Sequence, residues 1–386
     1  MEKWLKKVGI LAFADKHNGG VFQYTQAIID SIYDDDTNKY IVYFFNEECP
    51  YNTYDLDIIR IEPNILNIYQ KIIRGFQQIF LVRRSWFFCD TEVNNFYGID
   101  IFISPTLFVY PHFYLNRKYI FTLHDMQEKY YSENFTRYDL LIRWLTKRVL
   151  TKTANKIICE SSFVKNDIVK FTGTLPDKIS VIQAPPPKQI TNVSDDKIIR
   201  SNVQKKYNLP NKFIYYPAQC WPHKNHIKLI VAFNNVVKKY PDMHLILTGS
   251  QQNNYSELVK IINDLSLHEK IHHLGYVDYE DIPYFYKMSL MLVMPSLFES
   301  ISIPIYEAFS LGVPVCCSNV VALPEQVGDA GLLFDPLDCN DIYTKIMLYL
   351  KNDHLRSEKV IKGLAKIKKF NHVAYKNKLL FEIEKA

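Results

Sequence analysis

What the sequence lacks narrows it first. No run of apolar residues reaches the roughly 20 needed to span a bilayer. The seven cysteines, at positions 49, 89, 159, 220, 316, 317 and 339, form no C-x-x-C pair and no metal-ligand spacing. Their odd number, and the apolar setting of Cys316 and Cys317, point to reduced core thiols in a cytosolic protein. No G-x-G-x-x-G follows a strand-like run, which tells against a dinucleotide-dependent dehydrogenase. There is no short-period repeat and no low-complexity tract. The N-terminal MEKWLKKVGILAF starts basic, but its apolar stretch is short and has no small-residue cleavage site. It reads as a first strand rather than a signal peptide. An excess of one sign of charge is missing too. A net charge of +5 over 386 residues suits anionic small molecules or an anionic surface and falls well short of a nucleic-acid footprint.

What is present is an alternation. A chain of 386 residues is too long for one ordinary core, and its apolar and charged fractions are those of a globular protein. Strand-like runs such as KVGILAFA, KYIVYFF, IDIFISP and RKYIFTLHD alternate with helical periodicity. In GGVFQYTQAIIDSIY, Ile28, Ile29 and Ile32 recur at helical spacing. NKIICESSFVKNDIVKFTG gives a strand, a serine cap, a helix and a glycine stop in turn. VIQAPPPKQITNVSDDK then breaks the rhythm with three prolines and a polar stretch. The same scheme restarts in KFIYYPAQ, HLILTGS, KIHHLGYV, SLMLVMPS and VPVCC. The expected fold class is α/β, with two Rossmann-like domains facing a cleft and ligands collecting at the carboxyl ends of the strands.

The stretch SLFESISIPIYEAFSLGVPVCCS, from Ser296 to Ser318, carries the most chemistry. Pro304 is tolerated only in the first turn of a helix, so the spacing predicts a helix from Ser302 as N-cap to a stop at Gly312. Glu299 then lies on the loop before the helix and Glu307 on its early turns. Backbone N–H groups from Ser300 through Ile301 and Ser302 to Ile303 would point out of a helix N-terminus, where phosphate binds well. A carboxylate on each side suits pairs of sugar or ribose hydroxyls. A capping carboxylate and a surface glutamate would give the same spacing.

The pattern from Glu299 to Glu307, followed by AFSLGVPV and LPEQVGDAGLLFDPLD, resembles the donor-binding signature of the retaining glycosyltransferases of family 4, the group 1 transferases, whose fold is the two-domain GT-B architecture. The family motif reads E-G-F-G-x-x-x-x-E; here Ser300 and Ser302 replace the glycines. YYPAQCWPHKNHIKLIVAF is similar to the family's diphosphate grip, with Lys224 in the second cationic position. Gln219 stands nearest the first, where the family has arginine, and His223 or His226 is the candidate to compensate. Gly19 and Gly20 match the family's Gly-Gly turn after the first strand. His124 and Asp125 match its His-Asp pair, with His124 on the donor sugar and Asp125 either orienting the imidazole or helping to hold the reacting groups. Gly249 ends a strand, and Tyr276 and Val277 fall where the family frames the nucleotide base.

The resemblance implies a retaining, metal-independent hexosyltransferase, with catalytic roles at His124, Asp125, Lys224 and Glu299. It moves sugar from a GDP- or UDP-linked donor to a glycan or lipid-linked acceptor in polysaccharide or glycolipid assembly, with no cofactor beyond that co-substrate. The domains it implies are 1–190 for the acceptor, 191–371 for the nucleotide sugar, and a helix over 372–386 crossing back as a strut whose removal should spare both cores. The alternatives are an inactive sugar-nucleotide-binding partner, suggested by Gln219, and a sugar-nucleotide epimerase. A metal-dependent GT-A enzyme would need an Asp-x-Asp, and DLD at 55–57 is such a match, at the start of a strand-like run. Two segments, 67–88 and 137–156, mix Lys and Arg with aromatic and aliphatic residues. They suit docking on an anionic membrane face from the cytoplasm, and equally suit core helices with snorkelling cations.

Overall fold

The computed structural model describes residues 6–15, 19–62, 67–82, 96, 98–113, 117–191, 193 and 196–386. It divides into two compact units, residues 1–185 with 372–386, and residues 186–371.

Among the described residues the first unit is built on seven parallel strands: β1 (Lys6–Leu11), β2 (Asn38–Phe44), β3 (Asp57–Arg60), β4 (Ile101–Ser104), β5 (Lys118–Thr122), β6 (Lys156–Cys159) and β7 (Ile179–Val181). Their order is β3-β2-β1-β4-β5-β6-β7. Central strands such as β4, IFIS, are buried on both faces, which is why they read as continuous apolar runs. Side chains alternate between two cores. Ile101 and Ile103 join Val8, Ile10, Ile28 and Ile29 on one face, while Phe102 joins Leu11, Tyr43, Tyr119 and Phe121 on the other. The longer helices interleaved with these strands are α1 (Gly20–Ile32), α2 (Ile68–Ile79), α3 (Arg137–Thr153) and α4 (Ser162–Thr172). The expected apolar stripe of α1 is in place, with Ile28, Ile29 and Ile32 fully buried.

α2 departs from expectation. It stops at Ile79, Leu81 takes a positive φ of 54°, and Arg83, Arg84, Trp86 and Phe87 lie outside the described residues. Nor is α2 a core helix. Ile68, Tyr69, Ile72, Phe76 and Phe80 are all exposed, and only Gln77 and Gln78 are buried within it. Tyr138, Leu141 and Trp144 of α3, which contacts α2, are exposed as well.

The second unit holds six parallel strands: β8 (Phe213–Pro217), β9 (His244–Thr248), β10 (Ile271–His273), β11 (Met291–Met294), β12 (Val315–Ser318) and β13 (Leu332–Phe334), in the order β10-β9-β8-β11-β12-β13. Helices α5 (His226–Lys239) and α6 (Ile303–Ser310) follow β8 and β11. Cys316 and Cys317 are free thiols in the core of β12. The last helix, α7 (His372–Lys385), belongs to the first unit. Tyr375, Leu379 and Ile383 sit in its core beside Ile28, and Lys6 Nζ donates to the Ile383 carbonyl at 2.8 Å. The helix is therefore part of that core, and its removal would not spare it.

In each sheet the direction of winding reverses once, between β1 and β4 and between β8 and β11. Chain leaving such neighbours at their carboxyl ends diverges to opposite faces and opens a crevice for ligands.

Candidate functional site

In the second unit the loops after β8 and β11 are fastened together. The Leu297 N–H donates to the His223 carbonyl at 2.7 Å. Asn225, in the left-handed conformation that caps α5, donates through Nδ2 to the carbonyls of Pro295 and Pro336, both at 2.9 Å. Tyr216, buried on β8, donates to the Lys224 carbonyl at 2.8 Å. These bonds bring Lys224 Nζ to 2.5 Å from Glu299 Oε1. The lysine and the first glutamate of the sequence motif thus form an ion pair with both side chains mostly buried.

α6 begins and ends where Pro304 and Gly312 require, with Ser302 as N-cap. The cap works differently from the expectation. Ser302 Oγ points to Met294 Sδ, and its backbone N–H donates to Gln326 Oε1 at 2.8 Å, while Gln326 Nε2 returns a bond to the Ser302 carbonyl at 2.6 Å. Ser302 is therefore withdrawn from any anion site; Ser300 and Ile301 stand on the loop between it and Glu299. Glu307 is 4% exposed, and its Oε2 accepts from Tyr286 Oη at 2.6 Å. Burial pushes its carboxyl up to about 7 against the opposing pull of that hydrogen bond.

Gly249 closes β9 with φ at 130°, and a Cβ there would meet the Ala218 carbonyl carbon and oxygen at 2.7 Å. The glycine lets the β9 loop lie against the β8 loop. Gln219 is engaged within that pair of loops. It accepts from Trp221 Nε1 at 2.8 Å and donates to Tyr276 Oη at 3.1 Å. Tyr276 is exposed and Val277 half-buried on the loop after β10. His226 cannot stand in for the missing arginine. It is buried against Tyr216, and burial drives its pKa down to about 3, so the ring is neutral.

In the first unit, Gly19 is the N-cap of α1 with φ at 55°, and Gly20 is the first helical residue. His124 and Asp125 follow β5. His124 Nδ1 lies 2.9 Å from Glu160 Oε2, and Nε2 lies 2.8 Å from the Pro105 carbonyl oxygen. Asp125 does not orient the imidazole. Its Oδ1 accepts from the Gln127 N–H at 3.1 Å and faces Arg143 at 3.4 Å and Lys147 at 3.7 Å. Burial would raise the Asp125 carboxyl, but the charges of Lys147 and Arg143 outweigh it and hold the group below its usual range. Lys147 is itself buried, with Nζ 2.8 Å from both Glu128 oxygens. Asp57 of the DLD run is exposed on the edge strand β3 and pairs with Lys39 at 2.9 Å.

No motif in the sequence singles out Glu160, Tyr286, Gln326 or Trp221. The one local signal was for Glu160, an acidic residue between an apolar strand and the serine that caps the next helix.

A model of the glycosyl transferases group 1 matches residues 199–364, and one of glycosyltransferase family 4 matches residues 19–185. An O-antigen chain mannosyltransferase B of Escherichia coli is 29% identical over 314 residues, 78% of this chain and 76% of that protein. The O-antigen chain mannosyltransferase RfbU of Salmonella typhimurium is 26% identical over 72% of each chain. Among solved structures, Anabaena Alr3699/HepE in complex with UDP and glucose aligns with a TM-score of 0.75 and 17% identity, over 99% of this chain and 100% of that one. That likeness bears on the fold, and the fold is GT-B.

Proposed function

This chain belongs to the group 1 and family 4 glycosyltransferases, and on that premise we propose that it transfers mannose from a nucleotide-diphosphate donor to a growing bacterial surface glycan. The observation that carries the reading is the likeness to two O-antigen mannosyltransferases over more than 70% of the chain. The second unit takes the donor and the first unit reads the acceptor. Glu307 accepts from the ribose hydroxyls and Glu299 from those of the sugar. Lys224 and the Ser300–Ile301 backbone meet the diphosphate, and Tyr276 and Val277 frame the base. The reaction retains anomeric configuration. The bond from the anomeric carbon to the phosphate oxygen breaks, and the acceptor oxygen attacks on the face from which the diphosphate leaves. The acceptor proton passes to the departing phosphate, whose growing charge Lys224 stabilises. No metal ion takes part.

The chain works at the cytoplasmic face of a membrane, docked by the exposed apolar faces of α2 and α3 with Lys71 and Arg74 beside them. Among the described residues no helix is long and apolar enough to cross a membrane. A second reading, a sugar-nucleotide-binding partner without turnover, draws on Gln219, whose amide brings no charge to the diphosphate and is bonded to Trp221 and Tyr276.

The test is incubation of the purified chain with GDP-mannose or UDP-hexoses, with and without a mannose-bearing acceptor, in the presence of EDTA. Acceptor-dependent release of nucleoside diphosphate and an unchanged anomeric configuration by NMR are expected. Donor binding with no release would favour the second reading. Inversion, or loss of activity in EDTA, would overturn retention or metal independence.

A further inference from the structure

Three neighbouring strands each deliver one group to the same point. Pro105 follows β4, His124 follows β5 and Glu160 follows β6, and the strands are adjacent in that order. Pairing continues past β5, where the Leu123 N–H donates to the Ile158 carbonyl at 2.9 Å, so the His124 and Glu160 positions are in register. Glu160 is 4% exposed and is fixed by Ser161, whose hydroxyl accepts from the Val164 N–H as the cap of α4. The His124 side chain keeps 18% of its surface open.

Both ring nitrogens of His124 face oxygen. A backbone carbonyl has no proton to give, so Nε2 must carry one to bond Pro105 at 2.8 Å. At Nδ1 a proton also lies on the 2.9 Å line to Glu160, and because a carboxylic acid is ordinarily a stronger acid than an imidazolium by about 2 pH units, that proton belongs to the ring. The ring therefore offers no free lone pair, and it can accept no proton from a substrate hydroxyl without breaking one of these bonds. We propose that Glu160 is a positioning residue that holds His124 as a fixed imidazolium, so that His124 presents a positive charge rather than a general base. The chemistry it would favour is that of an anionic group on the bound substrate, such as a phosphate oxygen.

The groups around the ring fit this assignment. The Tyr24 ring, from α1, stands edge-on to it at 4.7 Å and 86°. Tyr24 Oη is bonded to Thr122 at 3.2 Å and accepts from Tyr375 of α7 at 3.1 Å, so both phenols are neutral scaffolding. Asp125, next in the chain, adds negative charge, partly offset by Arg143 and Lys147 from α3; Glu128 is occupied by the same two cations. Cys159, beside Glu160, is a buried free thiol. Burial alone would lower the pKa of His124. The Glu160 bond and charge, the Pro105 carbonyl and Asp125 together outweigh it and raise that pKa.

This assignment rests on the transferase reading only for its use; the protonation itself can be measured without substrate. The experiment labels histidine with ¹⁵N in the full chain and follows the ring nitrogens with pH, using His124→Gln to identify the signal. In the wild type, His124 should remain doubly protonated at pH values where exposed histidines have become neutral. In Glu160→Gln it should lose its proton at least one pH unit earlier, and Glu160→Asp should restore part of the difference. With donor and acceptor, Glu160→Gln should lower kcat at least tenfold with a smaller change in donor KM. A neutral His124 at pH 7 in the wild type, or an unchanged titration in Glu160→Gln, would overturn the proposal. If Glu160→Gln fails to fold, the wild-type titration alone decides. Imidazolium in a chain that transfers no sugar would leave the Glu160 assignment standing and remove the transferase reading.

Discussion

Replacing Glu307 with glutamine should strengthen the fold and weaken the donor site in the same protein. Glu307 is buried in the second unit, and its carboxyl titrates at about 7 rather than at the ordinary 4.5. The folded chain therefore holds this proton more tightly than the unfolded chain. The stabilisation that proton brings is complete below pH ~4.5 and is lost as pH rises to about 7. The loss is about 3 kcal/mol, from some 2.5 pH units at 1.36 kcal/mol each. A neutral amide never incurs it. Glu307→Gln should thus unfold at higher denaturant than wild type at pH 8, by up to that amount, and differ by less than about 1 kcal/mol at pH 5. Donor binding should go the other way. Ribose hydroxyls bond best to the ionised group, so wild-type affinity should rise as pH passes 7 and then level off. The variant should lose about 1.5–3 kcal/mol of affinity at pH 8, roughly 10- to 150-fold, and show no dependence through pH 7. Denaturant melts of the second unit, read by its own transition because two units need not unfold together, and calorimetry with nucleotide sugar at pH 5.5 and 8 would measure both effects. Equal stabilities at pH 8 would refute the buried-carboxylate account. Equal donor affinities would remove Glu307 from the ribose site.

In the proposed reaction Lys224 meets charge that grows as the bond breaks, so Lys224→Ala should lower the transfer rate more than it weakens nucleoside binding. Since its amine lies 2.5 Å from Glu299, the double variant with Glu299→Gln should be less damaging than the sum of the two, by about 0.5–3 kcal/mol in kcat/KM; strict additivity would separate the residues. Leu379→Ala, at a fully buried site on α7, should destabilise the first unit by about 2–5 kcal/mol while nucleotide binding by the second unit persists. A chain with an unchanged first transition would show that α7 is not part of that core. Phe76→Glu with Phe80→Glu should abolish binding to anionic liposomes without lowering the unfolding temperature, because both rings are exposed; liposome binding that survives the pair would release α2 from the membrane role.

The elements were legible where a single stretch carries its own instructions. The central strands of both sheets read as short apolar runs because central parallel strands are buried on both faces. Pro304 and Gly312 bounded α6 correctly because one fits only a first turn and the other fits the reversal after the last. What escaped was set by pairings across strands. Glu160 meets His124 from 36 residues away because β5 and β6 are neighbours, and Asp125, adjacent in sequence, was credited instead. Gln326 takes the Ser302 N–H from 24 residues away, which no pattern around the helix start discloses. α2 shows a third limit. An apolar stripe announces a face to be covered, but periodicity does not say whether the cover is the chain's own core.

The placement of α7 has a consequence for how the protein is made. The first unit is interrupted. Its sheet and α1 are synthesised early, but Tyr375, Leu379 and Ile383, which cover the face of Ile28 and Ile29, come only after residues 186–371. At ~5–20 residues per second the ribosome needs roughly 10–40 s for that intervening stretch. For that time the nascent first unit carries an uncovered apolar surface, while the second unit, continuous in sequence, can finish folding ahead of it. The half begun first is the half completed last, and this interval is when the growing chain is most open to holding chaperones and to wrong partners.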